Sequence, residues 1–278
     1  MHAALLAALF AVAVPTPAPA PASPWKSAAP GLEIGVFDAP VRSAFGDSRI
    51  TIARIDPQHY EFRLLSAKLL KLDQTLTAPE WAKRYNVTGV INASMYSTDH
   101  RSSVAFMKDA TGANNARWTK DNAVFAAAPT DKALPPVQIL DRACGKAEEV
   151  QEGYAILIQN IRMLDCAGAN TWAQQPRKWS AAAVGTDGAG RVLFIHCRSP
   201  YSMHDFVDML RALPLDLKRL MYVEGGPEAS LYVAVDGKDV VSQVGSFETG
   251  FREMDDNKEF WPLPNVIGFA PKAAKPAE

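Results

Sequence analysis

One carboxylate, Glu224, stands between the apolar run Met221-Tyr222-Val223 and the pair Gly225-Gly226, and the chain resumes as an apolar strand at Ser230-Leu231-Tyr232. A strand that ends on a carboxylate aims it beyond the sheet. Glycines beside it remove side-chain bulk, so a ligand or another backbone segment can approach closely. The same residues also make an ordinary strand-turn-strand connection with a solvated glutamate. With a ligand present, Glu224 would act as nucleophile, base or charge stabiliser.

Other residues could complete such a site. Asp99, in Ser97-Thr98-Asp99-His100-Arg101, is the most accessible second carboxylate, and equally a residue that initiates a turn. Asn92, at the end of an apolar run, can exchange hydrogen bonds with hydroxyl groups or pin a turn. Arg101 and Arg198 carry planar guanidinium groups suited to phosphate oxygens, unless each is a surface cation. Strand alternation puts Phe194, His196 and Arg198 on one face, so His196 either lines the site or is a satisfied core histidine. His204 falls in the first turn of a helix, exposed or offering an N–H to a ligand.

The elements that must position these residues are mostly strands. Short β-branched or aromatic runs bounded by turn residues occur at 32–37, 49–55, 60–65, 87–92, 104–108 and 123–127. Further runs lie at 137–140, 154–159, 181–185, 192–197, 220–223, 230–235 and 266–269. Asp236-Gly237 between two apolar segments is a two-residue hairpin signal. Thr77 with Glu80 and Pro79 starts a short helix, and Ser202 caps a second whose Met203, Phe206, Val207, Leu210 and Leu213 form an apolar stripe. The expected fold is α+β: a sheet-rich single domain with a few short helices packed on a mixed or antiparallel sheet.

Composition narrows the class of partner. The 278 residues are 48% hydrophobic and 21% charged with a formal net charge of −1, which supplies a core but no electrostatic footprint for nucleic acid. Residues 1–24 contain no Lys, Arg, Asp or Glu, and an apolar run at 3–14 precedes a Pro/Ala-rich stretch. The run is too short to span a bilayer and reads as a signal peptide or leader over 1–23, implying a secreted or periplasmic protein with no transmembrane segment in the mature chain. A linker over 24–31, a domain over 32–270 and a disordered tail over 271–278 follow. Of the three cysteines, Cys144 and Cys166 lie in loop-like surroundings and form the candidate disulfide, the alternative being two free thiols, while Cys197 lies in an apolar strand. No Cys/His spacing suits a metal, and no cofactor is implied.

Taken in order, Val90-Ile91-Asn92-Ala93-Ser94-Met95-Tyr96, Trp179 to Gly185 with Asp187-Gly188, Ser202-Met203-His204-Asp205-Phe206, Glu224 to Tyr232, and Pro264-Asn265-Val266-Ile267-Gly268 make the chain resemble the phosphodiester glycosidase family. The resemblance runs from about Ile34 to Phe269. It implies an exported hydrolase cleaving a sugar-1-phosphodiester or a related envelope glycan bond. Glu224 and Asp99 would be the catalytic carboxylates; Asn92, Arg101, His196, Arg198, His204, Gly225 and Gly226 would hold a small-molecule or oligosaccharide substrate carrying a sugar phosphate. Glu224 stands where the family usually has Asp, and an arginine common in the family has no clean counterpart, Arg177 and Lys178 lying slightly upstream of its place. The alternative is a non-catalytic member that binds exopolysaccharide or another envelope component.

Overall fold

A computed structural model describes residues 23–273; residues 1–22 of the expected leader and 274–278 of the expected tail lie outside the described residues. The chain opens as a meander, β1 (Trp25–Ala29), β2 (Leu32–Asp38) and β3 (Arg49–Ile55), followed by β4 (Tyr60–Ser66), helix α1 (Ala78–Arg84) and β5 (Gly89–Asn92). Next come β6 (Met107–Asp109), β7 (Gly112–Asn115), β8 (Ala123–Pro129), β9 (Val137–Asp141), α2 (Ala147–Gln151) and β10 (Tyr154–Asn160). After β11 (Trp179–Asp187), β12 (Val192–Tyr201) and α3 (Met203–Ala212), strand β13 (Leu217–Gly225) leads into a single 3-10 turn, Gly226–Glu228. Strands β14 (Ser230–Val235), β15 (Lys238–Val244) and β16 (Asn265–Pro271) end the fold.

The domain is α+β and sheet-rich, its strands divided among three antiparallel sheets. Their orders are β1-β2-β3-β12-β11-β13, β7-β6-β10-β8-β9 and β15-β14-β5-β16-β4. One core is shared by all three: Phe194 and Val223 from the first, Phe125 and Ile158 from the second, Phe62, Ile91 and Phe269 from the third. Each sheet buries its other face under a helix. Phe206, Val207 and Leu210 of α3 cover Ile52, Ala183 and Ile195; Trp81 and Ala82 of α1 cover Val90 and Val266; Ala147 of α2 lies with Val124 and Leu140. Strand alternation thus becomes a choice between central core and helix-covered face.

Local signals set the helix starts and the hairpin. The Ser202 hydroxyl accepts from the Asp205 N–H at 3.1 Å, and the Glu80 carboxylate accepts from both the N–H and the hydroxyl of Thr77 at 2.8 Å. Asp236 and Gly237 take φ values of 51° and 73°, as the two-residue turn between β14 and β15 requires. Residues 24–31, expected to be a linker, instead contain β1, which pairs with β2. Trp25 anchors it under the Arg54 guanidinium, 3.8 Å from the ring centroid. An edge strand with one large apolar residue among Lys26, Ser27 and alanines has too little alternation to be seen in sequence.

Cys144 and Cys166 form a disulfide with Cα atoms 5.7 Å apart, while Cys197 is a buried free thiol. Closing the loop is worth about 3 kcal/mol in chain entropy. Among the described residues, no helix is long and apolar enough to cross a membrane.

Candidate active site

Strand β13 does not reach Glu224 in simple alternation. Ala183 of β11 pairs with Tyr222, but the adjacent Ala182 pairs with Glu224, so Val223 is an extra residue. Such a bulge bends the strand and re-aims the side chain beside it. The two glycines then make room in different ways. A β-carbon on Gly225 would fall on Trp179 and the Tyr222 hydroxyl. Gly226 has φ +67° and starts the 3-10 turn; a β-carbon there would stand 3.0 Å from Glu248 Oε2 and 3.5 Å from Glu228 Oε2. Two further carboxylates therefore converge on the space that Gly226 leaves open.

Asn92 fixes this turn from below. Its Nδ2 donates to the Glu228 carbonyl at 3.0 Å and its Oδ1 accepts the Ser230 N–H at 2.8 Å. Glu248 comes from the loop after β15, which folds back so that Glu248 bridges to Trp179 and the Ser180 N–H bonds the Phe247 carbonyl at 2.9 Å. Arg177 Nη2 donates to Glu248 Oε1 at 3.0 Å. The result is a pocket of about 650 Å³ with Glu224, Glu228 and Glu248 as its carboxylates, Arg177 as its arginine, and Tyr96, Trp179, Tyr222 and Phe251 as aromatic walls.

Burial controls the electrostatics. Glu224 is 9% exposed, and loss of hydration pushes its carboxyl up to about 8. The Gly225 N–H at 3.0 Å works against that shift, and the negative charges of Glu228 and Glu248 add to it. Glu228 is raised too, first by burial and then by Glu248, while the Tyr96 hydroxyl, 3.4 Å from its Oε1, favours the anion. The same desolvation and the same carboxylates raise the phenols of Tyr96 and Tyr222. The site thus sets a buried acid that keeps its proton well above the usual carboxylate range beside two further glutamates, an arrangement suited to giving a proton.

Of the residues singled out in sequence, Glu224 and Gly225 line this pocket, Gly226 opens it and Asn92 supports it. The others lie elsewhere. Asp99 Oδ1 accepts the N–H groups of Arg101 and Ser102, and its Oδ2 accepts the Ser102 hydroxyl at 2.6 Å. These bonds lower its carboxyl to about 2 and make it a turn residue lining a neighbouring groove. The Arg101 guanidinium caps the carbonyls of Leu72 and Asp73. Arg198 pairs with Asp255 at 2.9 Å and donates to the Val244 carbonyl, so it holds the β15–β16 loop. His196 follows Phe194 inward: it is 1% exposed and its Nε2–H donates to the Ala229 carbonyl at 3.2 Å. His204 bonds the Trp172 carbonyl and Asp208 on the outer side of α3.

Glu228, Glu248, Arg177, Tyr96, Trp179 and Tyr222 were not singled out as site residues. Glu228 carried a usable signal, a second glutamate four residues after the first across a Gly-Gly-Pro turn. Glu248 carried none, since its charged, polar segment reads as a solvated loop until β11 is seen to hold it.

The profile of the phosphodiester glycosidase family matches residues 85–270, a span that contains every pocket residue named above. No protein of curated function matches the sequence. Among solved structures, the fold is similar to the catalytic domain of zebrafish N-acetylglucosamine-1-phosphodiester alpha-N-acetylglucosaminidase, auto-inhibited by its pro-peptide. The TM-score is 0.62 at 13% identity, over 89% of this chain and 86% of that one. It is also similar to a protein of Synechocystis described as hypothetical, with TM-score 0.58 and 13% identity over 90% of this chain and 64% of that one.

Proposed function

The chain belongs to the phosphodiester glycosidase family, and on that premise we propose that it is an exported hydrolase that splits a sugar-1-phosphodiester, with Glu224 as its proton donor. The observation that carries this reading is the convergence of Glu224, Glu228 and Glu248 in one pocket, with the most buried of them pushed up to about 8. In the reaction water adds to the anomeric carbon, the bond from that carbon to the phosphate-bearing oxygen breaks, and a free sugar and a phosphomonoester result. A protonated Glu224 gives its proton to the departing oxygen. Glu228 and Glu248, on either side of the space left by Gly226, stabilise positive charge on the sugar ring, and one of them takes the proton from water. Arg177 offers a guanidinium to the phosphate, and the aromatic walls take the apolar faces of the sugar.

Here Glu224, one methylene longer than the family's usual Asp, starts from a bulged strand. Export is supported by the apolar leader and by the Cys144–Cys166 disulfide, a bond that persists outside the reducing cytosol. The test is incubation of the purified mature chain with sugar-1-phosphodiesters that differ in the sugar, followed by detection of free sugar. Release from at least one is expected. No release from any, with glycan retained on the protein, would replace the hydrolase by the binding protein.

A further inference from the structure

A second groove adjoins the carboxylate pocket. Ser97 and Thr98 line both, so the loop that carries them is a common rim. The groove has a volume of about 510 Å³ and is lined, apart from Ala116, by polar or charged side chains, including Lys68, Ser102, Asn115 and Arg117. Its charge is opposite to that of the pocket. Its lining holds two cations, Lys68 and Arg117, and one carboxylate, Asp99, both of whose oxygens are taken up by the turn at Arg101 and Ser102.

The groove is also rigidly built. Asn114 at its floor is 1% exposed; it accepts the Ser103 N–H at 2.7 Å and donates to Ser66, to Asn265 and to the Arg101 carbonyl. Lys68 Nζ is held by the Ser102 hydroxyl at 2.9 Å and the Asn114 carbonyl at 2.6 Å, which leaves one of its three N–H groups free. The Arg117 guanidinium has no hydrogen-bond or ion-pair partner among the described residues. A fixed polar floor with unspent cationic donors suits an anionic, hydroxyl-bearing ligand.

We propose that this groove is the subsite for the leaving arm of the diester, and that the arm it favours is a polyol carrying a negative charge beyond the scissile phosphate. This rests on the hydrolase reading above. The sugar occupies the acidic pocket, and the rest of the substrate crosses the rim at Ser97 and Thr98 to reach Lys68 and Arg117. The substrate class is therefore a multiply phosphorylated or otherwise anionic glycan rather than a small neutral diester.

Two measurements on the full mature chain test it. In the first, hydrolysis is compared for two diesters of one sugar, one with a methyl leaving arm and one with a glycerol 3-phosphate arm. The charged arm is expected to raise kcat/KM about fivefold, and Arg117→Glu to bring the ratio of the two substrates to one or below. A wild-type ratio of one, or an unchanged ratio in the variant, overturns the subsite. In the second, calorimetry with glycerol 3-phosphate alone follows the groove without turnover. Weaker binding by Arg117→Glu and by Lys68→Met is expected, and equal binding by wild type and both variants overturns the proposal. Binding of this kind with no diester cleaved would remove the hydrolase reading and leave an anion-binding groove.

Discussion

Glu224 and His196 sit in the same row of the first sheet, on either side of one residue: Ala182 of β11 pairs with His196 of β12 and with Glu224 of β13. Both are desolvated and both are pushed toward the neutral form, Glu224 up to about 8 and His196 down to about 4. Yet one is the floor of a pocket and the other a strut. His196 lies on an unbroken alternation that carries it into the central core against Ala229, whereas Glu224 follows a bulge and precedes two glycines. A perturbed ionisable group marks burial; access to a ligand depends on whether the backbone next to it breaks its pattern.

The largest effect that would break this contrast is on turnover. Glu224→Gln keeps the shape and removes the proton, so sugar release should fall by about 10²–10⁴-fold with the fold intact by circular dichroism. An unaffected rate would make Glu224 structural like His196. His196→Ala should do the reverse. Loss of the ring leaves a cavity and an unpaired Ala229 carbonyl, which costs about 2–4 kcal/mol in urea unfolding, while turnover per folded molecule stays within about a factor of three. A larger loss of turnover at full stability would move His196 into the chemistry.

Stability against pH sharpens the comparison, because the two groups act with opposite signs. Between 4.5 and about 8 the folded state holds a proton on Glu224 that the unfolded chain gives up, so this glutamate lowers stability as pH rises. Between 6.5 and about 4 the unfolded chain protonates His196 and the folded state does not, so this histidine lowers stability as pH falls. Denaturant titrations should show the alkaline slope flattened in Glu224→Gln and the acid slope flattened in His196→Ala. With Glu224 as proton donor, the rate should also decline as pH passes upward through about 8. The smallest effect belongs to the rim: Arg177, with a side chain 57% exposed, should on change to Ala raise KM about threefold with little change in kcat.

Much of the fold was legible. Period-two runs marked most strands, Thr77 and Ser202 marked helix starts, Asp236-Gly237 marked a hairpin, and Cys144 and Cys166 stood in loops. Strands β1 and β7 and helix α2 have no counterpart in the sequence reading, the strands for want of apolar alternation and the helix because its five residues bury little. In the site, Glu224 and the glycines were legible because turn chemistry is local. Asp99, Arg101, Arg198 and His204 have suitable residue types, but each is bonded to neighbours that residue type cannot reveal.

By itself the sequence determined most strands and turns, the caps and the place of Glu224 at a strand end, since these follow from backbone preferences and side-chain periods over a few residues; the family resemblance rests instead on the motifs taken in order. Only the tertiary structure decided which carboxylates meet. Glu248 reaches the pocket by bridging to Trp179 of β11 and pairing with Arg177 across 71 residues, and Asn92 holds the Glu228 turn across 136. Such meetings depend on register, and one extra residue in β13 re-aims Glu224 without leaving a local trace.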